Sequence, residues 1–179
     1  MSMANIQLIL PDITFKTQYQ EMMEEWLAYG GRLNPGALRC NGQSYETWLQ
    51  WMSDDAHEGT CPPEAVPQTM YFAVRDDGKL VGAVTIRHKL NERLVNDSGG
   101  GHVGFGVRPA ERRKGYAKEI LRLALEKLAE RGINNVLIHC AWDNIGSEKT
   151  ILACGAVFQD EVVNIKGEKA KRFRWNPTL

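Results

Sequence analysis

The sequence predicts an α/β fold with a mixed sheet, and three observations carry the prediction. Short β-patterned runs recur from the N-terminus to the C-terminus, two of them joined by hairpin turns, and amphipathic helical stretches stand between others. No repeat or low-complexity linker interrupts this order, so residues 1–179 are read as one domain. The run from Val103 to Leu128 passes from strand through a tight loop to helix, a junction found at ligand sites of α/β proteins.

Ile6 to Leu10 reads as a first strand closed by Pro11, and Phe15, Tyr19, Met22, Met23 and Trp26 recur at helical spacing until Gly30-Gly31 stops them. Ser44 is a suitable N-cap for a second helix with the stripe Tyr45, Trp48, Leu49 and Met52. The acidic, Pro-rich stretch from Ser53 to Pro67 reads as loop. Met70 to Val74 and Leu80 to Arg87 flank the Asp76-Asp77-Gly78 turn as a hairpin. Asn91 to Gly101 reads as a polar, Gly-rich connection. Val103, Phe105 and Val107 then alternate with Gly104 and Gly106 as a strand ending before Pro109. Ala117, Ile120, Leu121, Ala124, Leu125 and Leu128 share one helical face, and Gly132 ends that helix. Val136 to Ala141 is the next strand. Val157 to Ile165 and Lys169 to Trp175 close the chain as a hairpin across Lys166-Gly167.

Composition is that of an ordinary soluble chain, 43% hydrophobic and 25% charged. No run approaches the ~20 apolar residues that cross a bilayer, and the N-terminus lacks a signal-peptide pattern, which sets the expectation of a cytoplasmic protein without membrane partners. Cys40, Cys61, Cys140 and Cys154 are scattered without a C-x-x-C pair, so no metal is expected. Net charge is zero, yet residues 1–75 carry four Lys and Arg against nine Asp and Glu, and the remainder carries the opposite excess. A basic half suits an anionic ligand and an acidic half a cationic one. A nucleic-acid binder using Arg108, Arg112, Arg113 and Lys114 is disfavoured, because the chain is neutral and its aromatics gather in the acidic half.

The loop before the long helix asks for an anion. Three cations, Arg112, Arg113 and Lys114, precede a helix N-terminus whose dipole they oppose, which costs stability unless something negative sits among them. Unpaired first-turn N–H groups point the same way, and Gly115 lets backbone approach a phosphate. Two rival phosphate motifs, G-x-x-x-x-G-K-[ST] and G-x-G-x-x-G ahead of a helix, are absent.

The pattern Arg112-x-x-Gly115-x-Ala117 after a Val-x-Pro strand end resembles the [QR]-x-x-G-x-[GA] signature of the GCN5-related N-acetyltransferases (GNAT). Asn144-Ile-Gly-Ser147, leading to Gly155-Ala-Val-Phe158, resembles the same family's N-x-x-[AS] helix. The resemblance spans Val103 to Phe158. It implies a mainly antiparallel sheet with two splayed central strands, here Val103 to Val107 and Val136 to Ala141. It also implies acetyl-CoA as co-substrate, contacted by Phe105, Gly106, Val107, Arg112, Arg113, Lys114, Gly115, Tyr116, Ala117, Asn144 and Ser147. The Val107 carbonyl and N–H are expected to face the thioester arm. An acetyl group would pass directly, in a ternary complex, to a primary amine of a small molecule or peptide. A non-catalytic acyl-CoA sensor or scaffold is the alternative. Pairing of C-terminal strands in the family implies a homodimer.

An ammonium must lose a proton before it attacks, so a base is needed. Family members often carry Glu five residues before the Val of the Val-x-Pro end, where this chain has His102. By strand parity His102 shares a face with Gly104 and Gly106, which leave room for a ligand, and imidazole titrates near neutrality. His102 is therefore the expected base, with Glu92 and His88 in reserve. The family's Tyr acid, seven residues after the Asn, is replaced by Ile151. A thiol leaving group of pKa ~8.5 forgoes only about 2 kcal/mol when expelled unprotonated, and water, Tyr29 or Tyr45 would serve as acid. Trp48 and Trp51 are read as core packing.

Overall fold

The computed structural model describes residues 5–96 and 99–177. Seven strands form one open sheet: β1 (Ile6–Ile9), β2 (Gln68–Arg75), β3 (Leu80–Arg87), β4 (Val103–Val107), β5 (Val136–Ala141), β6 (Val157–Val163) and β7 (Lys169–Trp175). Their order is β1-β2-β3-β4-β5-β7-β6, and the β4–β5 pair alone is parallel. Among the described residues there are five α-helices: α1 (Lys16–Tyr29), α2 (Tyr45–Asp54), α3 (Glu92–Asn96), α4 (Tyr116–Glu130) and α5 (Ile145–Ala153). Mixed α/β architecture with a mainly antiparallel sheet is thus what the sequence predicts.

Two cores sandwich the sheet. On one face α4 and α5 bury Ile120, Leu121, Ala124, Leu125, Leu128 and Ile151 against Val103, Val107, Ile138 and Phe173. On the other, α1 and α2 set Tyr19, Met22, Trp26 and Trp48 against Met70, Phe72 and Ala83. Trp48 is fully buried and stacks on Tyr19 and Phe72, with its indole N–H donated to the Ala37 carbonyl (2.8 Å), as core packing requires. Trp51 instead stands partly exposed.

The connection from Asn91 to Gly101 departs from expectation. Asn91 Oδ1 accepts the Leu94 amide hydrogen (3.0 Å) and Leu94 is buried, so a capped apolar anchor folds Glu92–Asn96 into a short helix. Residues 97–98 of that connection lie outside the described residues.

The sheet parts in its middle. β4 and β5 share only the Val103–Ile138 rung, and beyond it the strands separate. Pairing with β3 alternates: Arg87 N–H reaches the His102 carbonyl and Arg108 N–H reaches the Val81 carbonyl, both at 2.8 Å, so Phe105 and Val107 turn their N–H and C=O groups toward the gap. Antiparallel alternation therefore leaves an unsatisfied strand edge at the centre of a large sheet.

Candidate active site

A cavity of about 870 Å³ opens at this gap. Phe105, Gly106, Val107, Arg112, Arg113, Gly115, Tyr116, Ala117, Asn144 and Ser147, ten of the residues expected at the site, border it. Gly115 caps α4 at φ 89°, a left-handed conformation that favours glycine, and Arg113 also has positive φ, at 62°. That tight turn points the first helical turn into the cavity. The Lys118 and Glu119 amides return to the Gly115 carbonyl (3.2 and 3.5 Å), whereas Tyr116 and Ala117 precede any carbonyl their N–H groups could reach within the helix. The positive end of a 15-residue helix thus meets solvent at Gly115. Tyr116 presents backbone only, because its ring is buried in the α4 core with the hydroxyl beside Arg75 (3.4 Å).

The three cations part ways. Arg112 donates from Nε to the Val107 carbonyl (3.2 Å), and its guanidinium lies 4.4 Å over the Tyr29 ring and 5.4 Å from the Trp26 ring. The Val107 carbonyl, expected to face a ligand, is therefore taken by the protein's own arginine. Lys114 does not border the cavity: it pairs with Glu111 (2.9 Å), which also holds Lys79 (2.6 Å). Burial pushes the Glu111 carboxyl up, but the bonds from Lys79 and Lys114 outweigh it and leave the group below the usual range. Dipole repulsion at Lys114 is thus relieved by a carboxylate of the chain itself, while Arg112 and Arg113 border the cavity, Arg112 with its Nε committed to Val107.

On the opposite wall Asn144 caps α5, its Oδ1 accepting the Ser147 amide hydrogen (3.0 Å), while both residues border the cavity. Ile151, at the family's Tyr position, is fully buried in the α4 core and faces away. Thr150, one residue earlier, borders the cavity and donates its hydroxyl to the Gly146 carbonyl (2.8 Å). Of the two tyrosines considered as acids, Tyr29 borders the cavity. Tyr45 is buried among aromatics, donating to the Asp12 carbonyl (2.9 Å), and burial raises its phenol well above the usual range.

His102 is not brought to this site, which corrects its expected role. It borders neither cavity at the gap and is buried, its Nδ1 accepting the Leu137 amide hydrogen (3.0 Å) while its backbone N–H donates to the Leu137 carbonyl (2.7 Å). Burial pushes the imidazole down to about 4. Here the side chain extends the β4–β5 ladder by one rung. The room expected beside these glycines, Gly104 and Gly106, is filled only at Gly106, where a Cβ would stand 1.9 Å from the Asn34 carbonyl oxygen; one on Gly104, which borders the smaller cavity, would meet Pro35 Cβ at 3.5 Å, an ordinary contact. His88, bonded to Thr69 Oγ1 (2.8 Å), and Glu92 border neither cavity.

A second cavity of about 220 Å³ adjoins the first. The two share Arg32, Asn34, Phe105, Asn144 and Ser147, and His139 and Cys140 border only the smaller. Burial pushes the Cys140 thiol up to about 11, so it stays protonated near neutral pH. Arg32, Asn34, Thr150 and His139 escaped the sequence reading. Only His139 carried a legible signal: on β5 it alternates with the core residues Ile138 and Cys140. Among the described residues no group of three His, Cys, Asp or Glu is placed to hold a metal, and no helix is long and apolar enough to cross a membrane.

Comparison with known proteins agrees with this geometry. The sequence profile described as "Acetyltransferase (GNAT) family" matches residues 19–156. The uncharacterized N-acetyltransferase YjdG of Bacillus subtilis is 26% identical over 133 residues, covering 68% of this chain and 76% of its own. The microcin C7 self-immunity acetyltransferase MccE, solved with acetyl-CoA and AMP, superposes with a TM-score of 0.68 at 16% identity, covering 96% of this chain and 92% of its own. The ribosomal-protein-S5-alanine acetyltransferase of Vibrio fischeri gives 0.67 at 16% identity, with 99% and 95% covered.

Proposed function

The chain belongs to the acetyltransferase (GNAT) family, and from that premise we propose that it moves the acetyl group of acetyl-CoA to a primary amine of a small molecule or peptide. The observation that carries this reading is the gap between β4 and β5, where an unpaired strand edge runs toward the N-terminus of α4. A pyrophosphate fits that end: the Tyr116 and Ala117 amides and Arg113 offer donors and positive charge, and Gly115 lets them approach. A pantetheine arm fits the edge, whose free Phe105 groups and Val107 N–H match its amides as a neighbouring strand would. Asn144 and Ser147 close the cavity from α5.

The thioester supplies an activated acetyl group. The chain supplies position and a site from which water is largely displaced, holding the acetyl carbon where the two cavities meet, beside Phe105 and Asn34. Direct transfer is favoured over an acetyl-enzyme, because the cysteine nearest that point, Cys140, is buried and protonated near neutral pH. Tyr29, the tyrosine that borders the cavity, would protonate the departing sulfur. Acceptors of this kind occur among structural relatives, one of which acetylates an alanine of a ribosomal protein.

The test is thiol release from acetyl-CoA on addition of spermidine, glycinamide, an alanyl peptide or an aminoglycoside. Release above the hydrolytic background with at least one amine is expected. Tight acetyl-CoA binding with no release beyond hydrolysis would favour a non-catalytic acyl-CoA sensor.

The separate fates of the loop cations give a sharper result. Arg113→Ala should weaken acetyl-CoA binding roughly tenfold, the scale of one lost charge-assisted hydrogen bond. Lys114→Ala should change it less than about twofold, because that ammonium is screened by Glu111 and turned from the cavity. Isothermal titration of both variants reads the difference, and equal losses would count against the pyrophosphate placement.

A further inference from the structure

With His102 committed to the β4–β5 ladder, the acetyltransferase reading lacks a base, and the smaller cavity offers one. We propose that His139 takes the proton from the acceptor amine, in a site that places the amine between β5 and the acetyl group. The assignment rests on the acetyltransferase reading of the larger cavity.

Three observations carry it. His139 lies on the β5 face opposite Ile138 and Cys140, whose side chains belong to the α4 core, and it borders the smaller cavity. It is 8% exposed, and its Cδ2 lies 3.3 Å from where a Cβ on Gly101 would stand, so the ring packs beside that glycine. The smaller cavity joins the larger through Phe105, Asn34, Asn144 and Ser147, so an amine held there has a path to the thioester carbon. Among the described residues bordering the smaller cavity, His139 is the only imidazole, the side chain whose ordinary titration falls near neutrality. The other ionisable groups there are less suited. Arg32 and Lys169 are cations, the Cys140 thiol stays protonated, and Glu168 is exposed on the β6–β7 turn, accepting from Asn164 Nδ2 (2.7 Å). Beyond the cavity wall, Arg172 is the β7 register partner of His139 and is held by Asp160, and Arg87 is bonded to the Gly101 carbonyl.

The step balances without a further reactant. An ammonium acceptor gives one proton to a ring nitrogen of His139, and the freed lone pair forms the N–C bond to the acetyl carbon. As the C–S bond breaks, its electron pair stays on sulfur; the second nitrogen proton ends on that sulfur, and His139 returns the first to solvent. The products are the amide, the free thiol and one proton.

His139→Gln and His139→Ala test the assignment, using an amine that the wild-type protein acetylates in the panel above. For His139→Gln, kcat should fall at least about 100-fold, the lower range for loss of a general base, with the acetyl-CoA Kd within about twofold. Added imidazole should raise kcat of His139→Ala roughly tenfold or more by entering the vacated space. A His139→Gln kcat within about threefold of wild type overturns the assignment, as does a loss in His139→Ala that imidazole leaves unchanged. If His139→Ala fails to fold, the His139→Gln measurement decides alone. Normal wild-type turnover with an unimpaired His139→Gln removes only the base, whereas a wild-type protein that releases no thiol with any amine removes the acetyltransferase reading and this assignment with it.

Discussion

Gly106→Ala is expected to destabilise the protein by about 3 kcal/mol or more, while Gly104→Ala, two residues away on the same face of β4, leaves it unchanged or slightly stabilised. The added methyl at Gly106 would stand 1.9 Å from the Asn34 carbonyl oxygen, 2.9 Å from its carbon and 3.0 Å from the Trp26 ring. Two of those atoms are backbone, so relief requires the segment after α1 to move; overpacking of this kind costs about 1–3 kcal/mol and more where the neighbour is rigid. At Gly104 the nearest atom is Pro35 Cβ at 3.5 Å, an ordinary contact, and replacing a strand glycine removes unfolded-chain freedom worth about 0.4–1 kcal/mol. For a chain of this size the Gly106 loss corresponds to a Tm lower by roughly 6–12 °C, read by thermal denaturation. Function should follow, because Asn34 borders both cavities and Trp26 the larger, so acetyl-CoA binding weakens with stability at Gly106 and not at Gly104. A Gly106→Ala protein as stable as Gly104→Ala would mean that the packing of Asn34 on β4 is loose.

The contrast between these glycines also marks where the sequence stopped being legible. Period-2 and period-3.6 patterns located the strands and the helices α1, α2 and α4, whose apolar faces are buried on one of two cores, whereas α5 was read from the family's N-x-x-[AS] pattern and β6 lies largely exposed. The α4 loop was legible as well, since a left-handed glycine before an apolar stripe has few other uses. Contacts between segments far apart in the chain were not. Alternation places Gly104 and Gly106 on one face but says nothing about Asn34, some seventy residues earlier, filling it at Gly106. Likewise, three adjacent cations read alike in sequence, and only Tyr29, Trp26 and Glu111 separate the stacked Arg112 and the paired Lys114 from Arg113. Ile151 shows the reverse: its place seven residues after Asn144 was read from the family's pattern, yet in this chain the residue serves the core and its neighbour Thr150 meets the cavity.

Acid should loosen the β4–β5 seam through His102 well before the carboxylates titrate. Burial holds this imidazole at about 4, against 6.5 when unhindered, with Arg174 and Arg87 acting in the same direction. A folded-state pKa below the unfolded one means that the folded state binds fewer protons, so stability is fully present above about pH 6.5 and is lost as pH falls toward 4. A shift of this size corresponds to about 3 kcal/mol across that window. Nδ1 accepts the Leu137 amide hydrogen, so a protonated ring would set N–H against N–H and break that rung. Glu25 and Glu111 shift in the same sense as His102 but titrate at lower pH. Their carboxyls lie below the usual range, Glu25 chiefly through its bond from Arg108, so their contribution is lost only below about pH 4.3. His88, also lowered by burial, loses stability in the same direction as pH falls, and the decisive quantity is therefore a difference between variants. In His102→Asn the side-chain oxygen takes the place of Nδ1 as acceptor and does not titrate. Urea unfolding of wild type and His102→Asn between pH 7 and pH 4 should show the wild-type free energy falling more steeply, by about 2–3 kcal/mol over the range. Parallel slopes would show that the ladder does not depend on a neutral His102. The same variant separates the two histidines: acetyl transfer near pH 7 should survive His102→Asn and fail in His139→Gln, because the first residue joins the strands and the second faces the amine.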